Sequence, residues 1–179
     1  SFHRLAYRVM QETGGSALTA IGDEGKRMLL YRLLRARRSD LRLFGASSEQ
    51  PGFIAKLNDL YTELKRYKID SIALQEHMQD LISVGHSPLL REKLEDALPI
   101  YQDFEQKLSQ LYVDSEDTLI SLAQQAGQSS LVQGAQIWID GFDYFTPREY
   151  EVIGALLGTA KSVVCSLTLD RPYDEGETL

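Results

Sequence analysis

Two stretches of this chain hold residues whose types and spacing could do chemistry. The first is Gln136-Ile137-Trp138-Ile139-Asp140-Gly141-Phe142-Asp143-Tyr144-Phe145-Thr146-Pro147, a strand-like apolar run that ends in an aspartate. A hydrophobic strand delivering an Asp to its carboxyl end is how nucleotide-binding α/β folds place a magnesium-linked carboxylate. Hydrolysis there needs a second carboxylate to orient the attacking water, and in this chain that position is Gly141. No Gly-rich phosphate loop occurs elsewhere, so the stretch is expected neither to bind nor to hydrolyse nucleotide. The other employment open to Asp140 is structural, accepting backbone N–H bonds from the turn that follows.

The second stretch is the opening one. Arg4, Tyr7, Arg8 and Gln11 fall at i, i+3, i+4 and i+7 and so share one face of a helix, with Leu5 and Val9 on another. Two guanidiniums, a phenol and an amide, preceded by Phe2, suit phosphates and exposed bases: arginine supplies fork-shaped donors and aromatic rings stack on bases. His3, His77 and His86 have no metal-ligand spacing. One cysteine, Cys165, argues for a reduced compartment and against disulfides, zinc or iron–sulfur ligation within the chain.

The net charge of −7 speaks against a nucleic-acid partner until its distribution is considered. Through Arg42 nine basic residues stand against four acidic ones, a net of +5, which leaves −12 on the remainder. Such polarity hints at a polyanionic partner, although a solvated helix face accounts for the same arginines. With 179 residues and 43% hydrophobic content the chain can bury a proper core. No stretch approaches the length of a membrane helix.

The elements that position these groups are legible from pattern. A first helix covers about His3 to Gln11 and is stopped by Gly14-Gly15. A second spans Asp23 to Arg38 with Leu29, Leu30, Leu33 and Leu34 as its stripe. Pro51 opens a third, with Phe53, Leu57, Leu60 and Leu64 inward. A shorter helix follows from Ser71 to Ile82, and a long one from Ser87-Pro88 to about Tyr112, which Pro99 should kink or break. Tyr112-Val113-Asp114-Ser115-Glu116-Asp117-Thr118-Leu119 caps a helix ending near Gly127. The central strand then leads through Thr146-Pro147, as N-cap and first helical residue, into a helix to about Leu157 and a second strand, Ser162 to Leu169. Residues 171–179 read as frayed. The fold class is therefore α/β, predominantly helical: a parallel α/β layer made by the two ends of the chain and interrupted by a helical block.

Three separated motifs then fall into a recognisable order. Ser1-Phe2-His3-Arg4-Leu5-Ala6 resembles the segment following the P-loop strand in superfamily 1 helicases of the UvrD/Rep type. Asp114-Ser115-Glu116-Asp117-Thr118-Leu119 resembles their Asp-Phe-Asp-Asp-Leu-Leu segment, and Ile139-Asp140-Gly141-Phe142 stands where they carry the Val-Asp-Glu-Phe of the Walker B strand. Within that superfamily the likeness is to the B subunit of AddAB-type (RexAB-type) ATP-dependent helicase/nucleases. Arg4-Leu5-Ala6-Tyr7-Arg8-Val9, Glu63-Leu64-Lys65-Arg66-Tyr67, Ser115-Glu116-Asp117, and Asp140-Gly141-Phe142 with Phe145-Thr146-Pro147 resemble its signatures over essentially the whole chain.

The resemblance implies a piece of that protein's helicase-like N-terminal region. Residues 1–15 and 112–179 would be part of a degenerate first motor domain, P-loop-helicase-like in its parallel layer, and residues 16–111 an inserted helical subdomain. It further implies a bacterial, cytoplasmic complex that processes double-strand breaks for recombination, with single-stranded DNA and an A-type helicase/nuclease subunit as partners and no membrane. The B subunit would recognise a Chi-type sequence. Phe2, Arg4, Tyr7 and Phe142 fall where the family's DNA-contacting residues lie, with Arg8 on the same face and Tyr7 replacing a common tryptophan. Asp140 and Gly141 would be a retired Walker B pair. No cofactor is expected in this stretch; the parent complex would carry ATP, magnesium and an iron–sulfur cluster outside it. Two other readings remain, an active motor or nuclease domain and a purely structural helical module that holds the partner subunit.

Overall fold

A computed structural model describes residues 1–15, 18–83 and 87–168. His86, Leu169 and the expected frayed end at 171–179 lie outside the described residues. The elements run α1 (Phe2–Thr13), β1 (Thr19–Ala20), α2 (Asp23–Ala36), α3 (Pro51–Arg66), α4 (Ser71–Ser83), α5 (Pro88–Leu111), β2 (Tyr112–Val113) and α6 (Ser115–Gln125). A 3-10 turn (Ala126–Gln128), β3 (Gln136–Phe142), α7 (Pro147–Thr159) and β4 (Ser162–Leu167) complete the order. The chain is α/β and predominantly helical, and its strands are parallel. Among the described residues they do not form one continuous layer: β1 pairs with β2, and β3 with β4.

The helix ends follow from local chemistry. Gly14, at φ 108°, terminates α1 and donates its N–H to Met10, a left-handed position that costs an ordinary residue but not glycine. Asp114 and Asp117 form a reciprocal capping box at α6, and Thr146 and Glu149 do the same at α7, with Pro147 at the first helical position. Each cap satisfies amide donors that the first turn of a helix leaves without partners. α1 is tied to the turn before β3 by Glu12, which accepts from the Ser129 hydroxyl at 2.5 Å and the Ser130 N–H at 2.7 Å. Those bonds, led by Ser129, hold the Glu12 carboxyl down at about 2.

Two separate apolar clusters form. One joins Ala6 and Val9 of α1 to Leu122 of α6, Ile139 of β3, and Val152 and Leu156 of α7. The other joins Leu30 and Leu34 of α2, Leu57 and Tyr61 of α3, and Ile100 and Phe104 of α5. In α3 the buried stripe is Ile54, Leu57, Asn58 and Tyr61, whereas Leu60, expected inward, is 43% exposed. The stripe is rotated because Tyr61 stacks on Tyr101 at 4.6 Å and donates its hydroxyl to Ala97 O. That anchoring also bears on α5, which continues through Pro99 instead of breaking. Burial of Ile100 and Tyr101 in the same turn, with the Tyr61 bond, outweighs the amide bond that proline forfeits.

The clusters meet across an ionic seam. Lys65 Nζ lies 3.0 Å from Asp114 and 2.7 Å from Asp117, and Arg66 Nε lies 3.0 Å from Glu116. Lys68 pairs with Glu151, and Arg148 donates to Lys65 O. The end of α3 thus docks its cations on carboxylates of α6 and α7. Asp114 and Glu116 are buried there. Burial pushes the Asp114 carboxyl up, but Lys65 and the Asp117 N–H outweigh it and hold the group below the usual range.

Candidate nucleic-acid interface

α1 presents the face expected of it: Arg4, Tyr7, Arg8 and Gln11 are exposed, while Phe2, Ala6 and Val9 pack inward on α6. Gln11 donates to the Tyr7 hydroxyl at 2.8 Å and steadies a ring that is 63% exposed. Among the described residues no carboxylate pairs with Arg4, Arg8, Arg32 or Arg35. The rest of the basic first quarter is largely engaged within the chain: Arg37 with Asp103 at 2.6 Å, Arg38 with Glu49, Arg42 with Glu95. The positive charge free for a polyanion is accordingly narrower than the count of arginines suggests.

Phe2 is not an exposed ring. It is 7% exposed, and its centroid lies 5.3 Å from that of Phe142 and 6.5 Å from that of Phe145. Helical geometry explains the correction: Phe2 is four residues before Ala6 and seven before Val9, so it belongs to the apolar stripe. Phe2 is thus a floor for Phe142, which is partly buried and also packs on Phe145 at 5.0 Å.

The end of β3 holds a second correction. Inward Ile137 and Ile139 alternate with outward Trp138 and Asp140, and simple continuation would place Phe142 outward. Instead the strand runs past Asp140 and shifts register: Ile139 faces Cys165 but Phe142 faces Leu167, three steps on β3 against two on β4. Gly141, inside this bulge, has φ 78°. Asp140 accepts from the Ser166 hydroxyl on β4 rather than from the amides of the following turn.

Two cavities adjoin α1 without merging. One, of 340 Å³, lies between α3 and the β3–α7 turn and is lined by His3, Arg66, Glu116, Phe142, Tyr144 and Thr146. The other, of 410 Å³, is lined by Tyr7, Met10, Gln11, Leu18, Val113 and Thr118. Phe142 and Tyr7 therefore face different hollows, and Arg4 and Arg8 line neither. Arg66 and the 71%-exposed Tyr144 have no role that the sequence assigns, although Arg66 lies in one of the quoted motifs. Their only signal is an exposed aromatic and an arginine far apart in the chain, which folding alone brings together.

The strand end is occupied within the chain. Asp140 is engaged with Ser166, and the neighbouring position is a glycine whose backbone a glutamate would adopt only with strain. The single cysteine, exposed Cys165, cannot hold a cluster by itself. Among the described residues no group of three or more His, Cys, Asp or Glu is arranged to hold a metal, and no helix is long and apolar enough to cross a membrane.

The chain is 44% identical over 170 residues to the B subunit of the ATP-dependent helicase/deoxyribonuclease of Desulforudis audaxviator, covering 95% of this chain and 15% of that protein. It is 41% identical over 179 residues to the protein of the same name from Geobacillus kaustophilus, covering 98% and 15%. The likeness to that of Desulforamulus reducens is 45% over 173 residues, 97% and 15%. The chain thus spans about 15% of the length of these relatives. The family model described as ADDB, N-terminal, matches residues 1–178, and the chain belongs to that family.

Proposed function

We propose that the chain is the helicase-like, non-catalytic part of the B subunit of an ATP-dependent helicase/deoxyribonuclease, and that it contacts single-stranded DNA during double-strand break processing, contributing to Chi-type recognition. The observation that carries this reading is the exposed face of α1, where Arg4 and Arg8 have no carboxylate partner among the described residues and flank Tyr7. Phosphates would run along the arginines. Bases would stack on Tyr7 on one side and on Phe142 on the other, with Phe2 supporting Phe142 from beneath. The cavity beside Phe142 is lined by Asp143, the Glu149 of the α7 cap and the Arg66–Glu116 pair, a mixed polar wall that suits the hydrogen-bonding edges of bases. Under this reading residues 1–15 and 112–179 are a degenerate piece of motor domain 1 with a P-loop-like layer, and 16–111 an insertion. ATP, magnesium, the iron–sulfur cluster and the motor activity belong to other parts of a cytoplasmic complex with an A-type partner subunit.

The test is equilibrium binding of short single strands by the assembled complex. Arg4→Ala is expected to weaken binding by about 1–3 kcal/mol, as loss of a forked contact does. Tyr7→Ala and Phe142→Ala are each expected to cost about 1–3 kcal/mol through lost stacking. Removing Arg4 and Arg8 together should also flatten the salt dependence. Unchanged affinity in all of these variants sinks the reading.

A second reading, a structural module that holds the partner subunit, has one observation in its favour. Met28 on α2 and Ile72 on α4 are 70% and 67% exposed, apolar side chains open to a partner surface. Loss of complex assembly in Met28→Ser/Ile72→Ser, with strand binding intact in the α1 variants, would favour it.

A further inference from the structure

We infer that Gly141 is a positioning residue, whose left-handed backbone makes the bulge that turns Phe142 off the outer face of the sheet and onto Phe2. The inference rests on the reading of Phe142 as a DNA contact and gives that contact its cause. Along β3, Trp138 and Asp140 point outward and Ile139 inward, so an unbroken strand would carry Phe142 out beside Trp138. The extra residue between Ile139 and Phe142 reverses that parity. Phe142 then meets Phe2 at 5.3 Å and Phe145 at 5.0 Å and borders the cavity that His3 and Tyr144 also line.

What the bulge demands is conformation and not room. A Cβ built on Gly141 meets nothing within 4 Å, yet φ is 78°, where side chains are disfavoured and β-branched ones most of all. Glycine at this position therefore has an employment of its own. It is more than the site of an absent carboxylate. Size and backbone tolerance can also be separated by substitution: Asn is larger than Ala but visits the left-handed region readily, whereas Val fits the space and resists the conformation.

The experiment uses the full-length protein in complex with its partner, with Gly141→Asn, Gly141→Val, Phe142→Ala and the double variant Gly141→Val/Phe142→Ala. Binding of a short single strand is read by fluorescence anisotropy, and the melting midpoint of the complex is read alongside. Phe142→Ala is expected to weaken binding roughly tenfold, Gly141→Val by a similar factor, and the double variant no further, while Gly141→Asn stays close to the parent. Wild-type binding by Gly141→Val beside a weakened Phe142→Ala overturns the inference, and so do losses that multiply in the double variant. If Phe142→Ala binds normally, the DNA reading of Phe142 has failed, and the melting data decide on Gly141. A drop caused by Gly141→Val that vanishes in the Phe142→Ala background supports the positioning role, and an equal drop in both backgrounds overturns it.

Discussion

Replacing Lys65 by methionine is expected to destabilise the fold by about 3 kcal/mol at neutral pH, with the deficit shrinking as the solution is acidified. Lys65 is 22% exposed and bridges Asp114, itself 4% exposed, to Asp117. Breaking a buried pair from one side leaves the other charge stranded, which costs more than the pair contributes when intact. The sign with pH follows from Asp114, whose carboxyl burial raises and Lys65 lowers further, so that it sits below its ordinary value. A depressed carboxyl adds stability above its unfolded pKa of about 4 and loses it as pH falls through the folded value. Without Lys65, burial acts unopposed by that charge and the group takes up its proton at higher pH. Urea unfolding at about pH 7 and about pH 4.5 should therefore show a large gap between the two proteins at the first and a smaller one at the second. An identical gap at both would mean that the seam is not held by charge.

Asp96→Ala is expected to cost about 4 kcal/mol, among the larger effects open to a single substitution. The Asp96 carboxylate is 3% exposed and accepts the backbone N–H groups of Arg42, Leu43 and Phe44 at 3.0, 2.7 and 2.9 Å. It fixes the segment between α2 and α3 against α5, and alanine would leave three amides facing a hole with no acceptor. Asp96→Asn should fall between, since one oxygen remains but the amide nitrogen meets donors head-on. Hydrogen exchange at residues 42–44 reports the effect locally. A loss below about 1 kcal/mol for alanine, with those amides still protected, would show that other groups hold the segment.

What can be read from the sequence is local, and the structure shows why. Gly14 ending α1, the Thr146-Pro147 start of α7 and the Asp114 cap are each decided by residues within one turn of one another. The α1 face is likewise set by helical spacing alone. Phe2 is easily misplaced because it precedes that face in the chain, although its stripe is that of Ala6 and Val9. The Phe142 bulge escapes a period-2 reading, which assumes an unbroken strand. Gly141 draws notice in sequence for a missing carboxylate, while its backbone conformation leaves no mark there. Asp96 and the seam have no local mark at all. Their partners lie about fifty residues away, and an aspartate on a helix looks the same in sequence whether it meets water or three amides.

The outer face of the β3–β4 pair has a spectroscopic consequence. Trp138, the chain's only tryptophan, stands there 67% exposed beside its register partner Val164, 51% exposed. Parallel strands are ordinarily covered on both faces, so this indole is placed to report whatever covers the second one. In the chain by itself its fluorescence should have the long-wavelength maximum of a wet indole. In a longer chain or an assembled complex, a covered face would show as a blue shift and as protection from an aqueous quencher. Within these 179 residues no second tryptophan competes, so a version of the longer protein that keeps Trp138 and carries phenylalanine at its other tryptophans would report the cover directly.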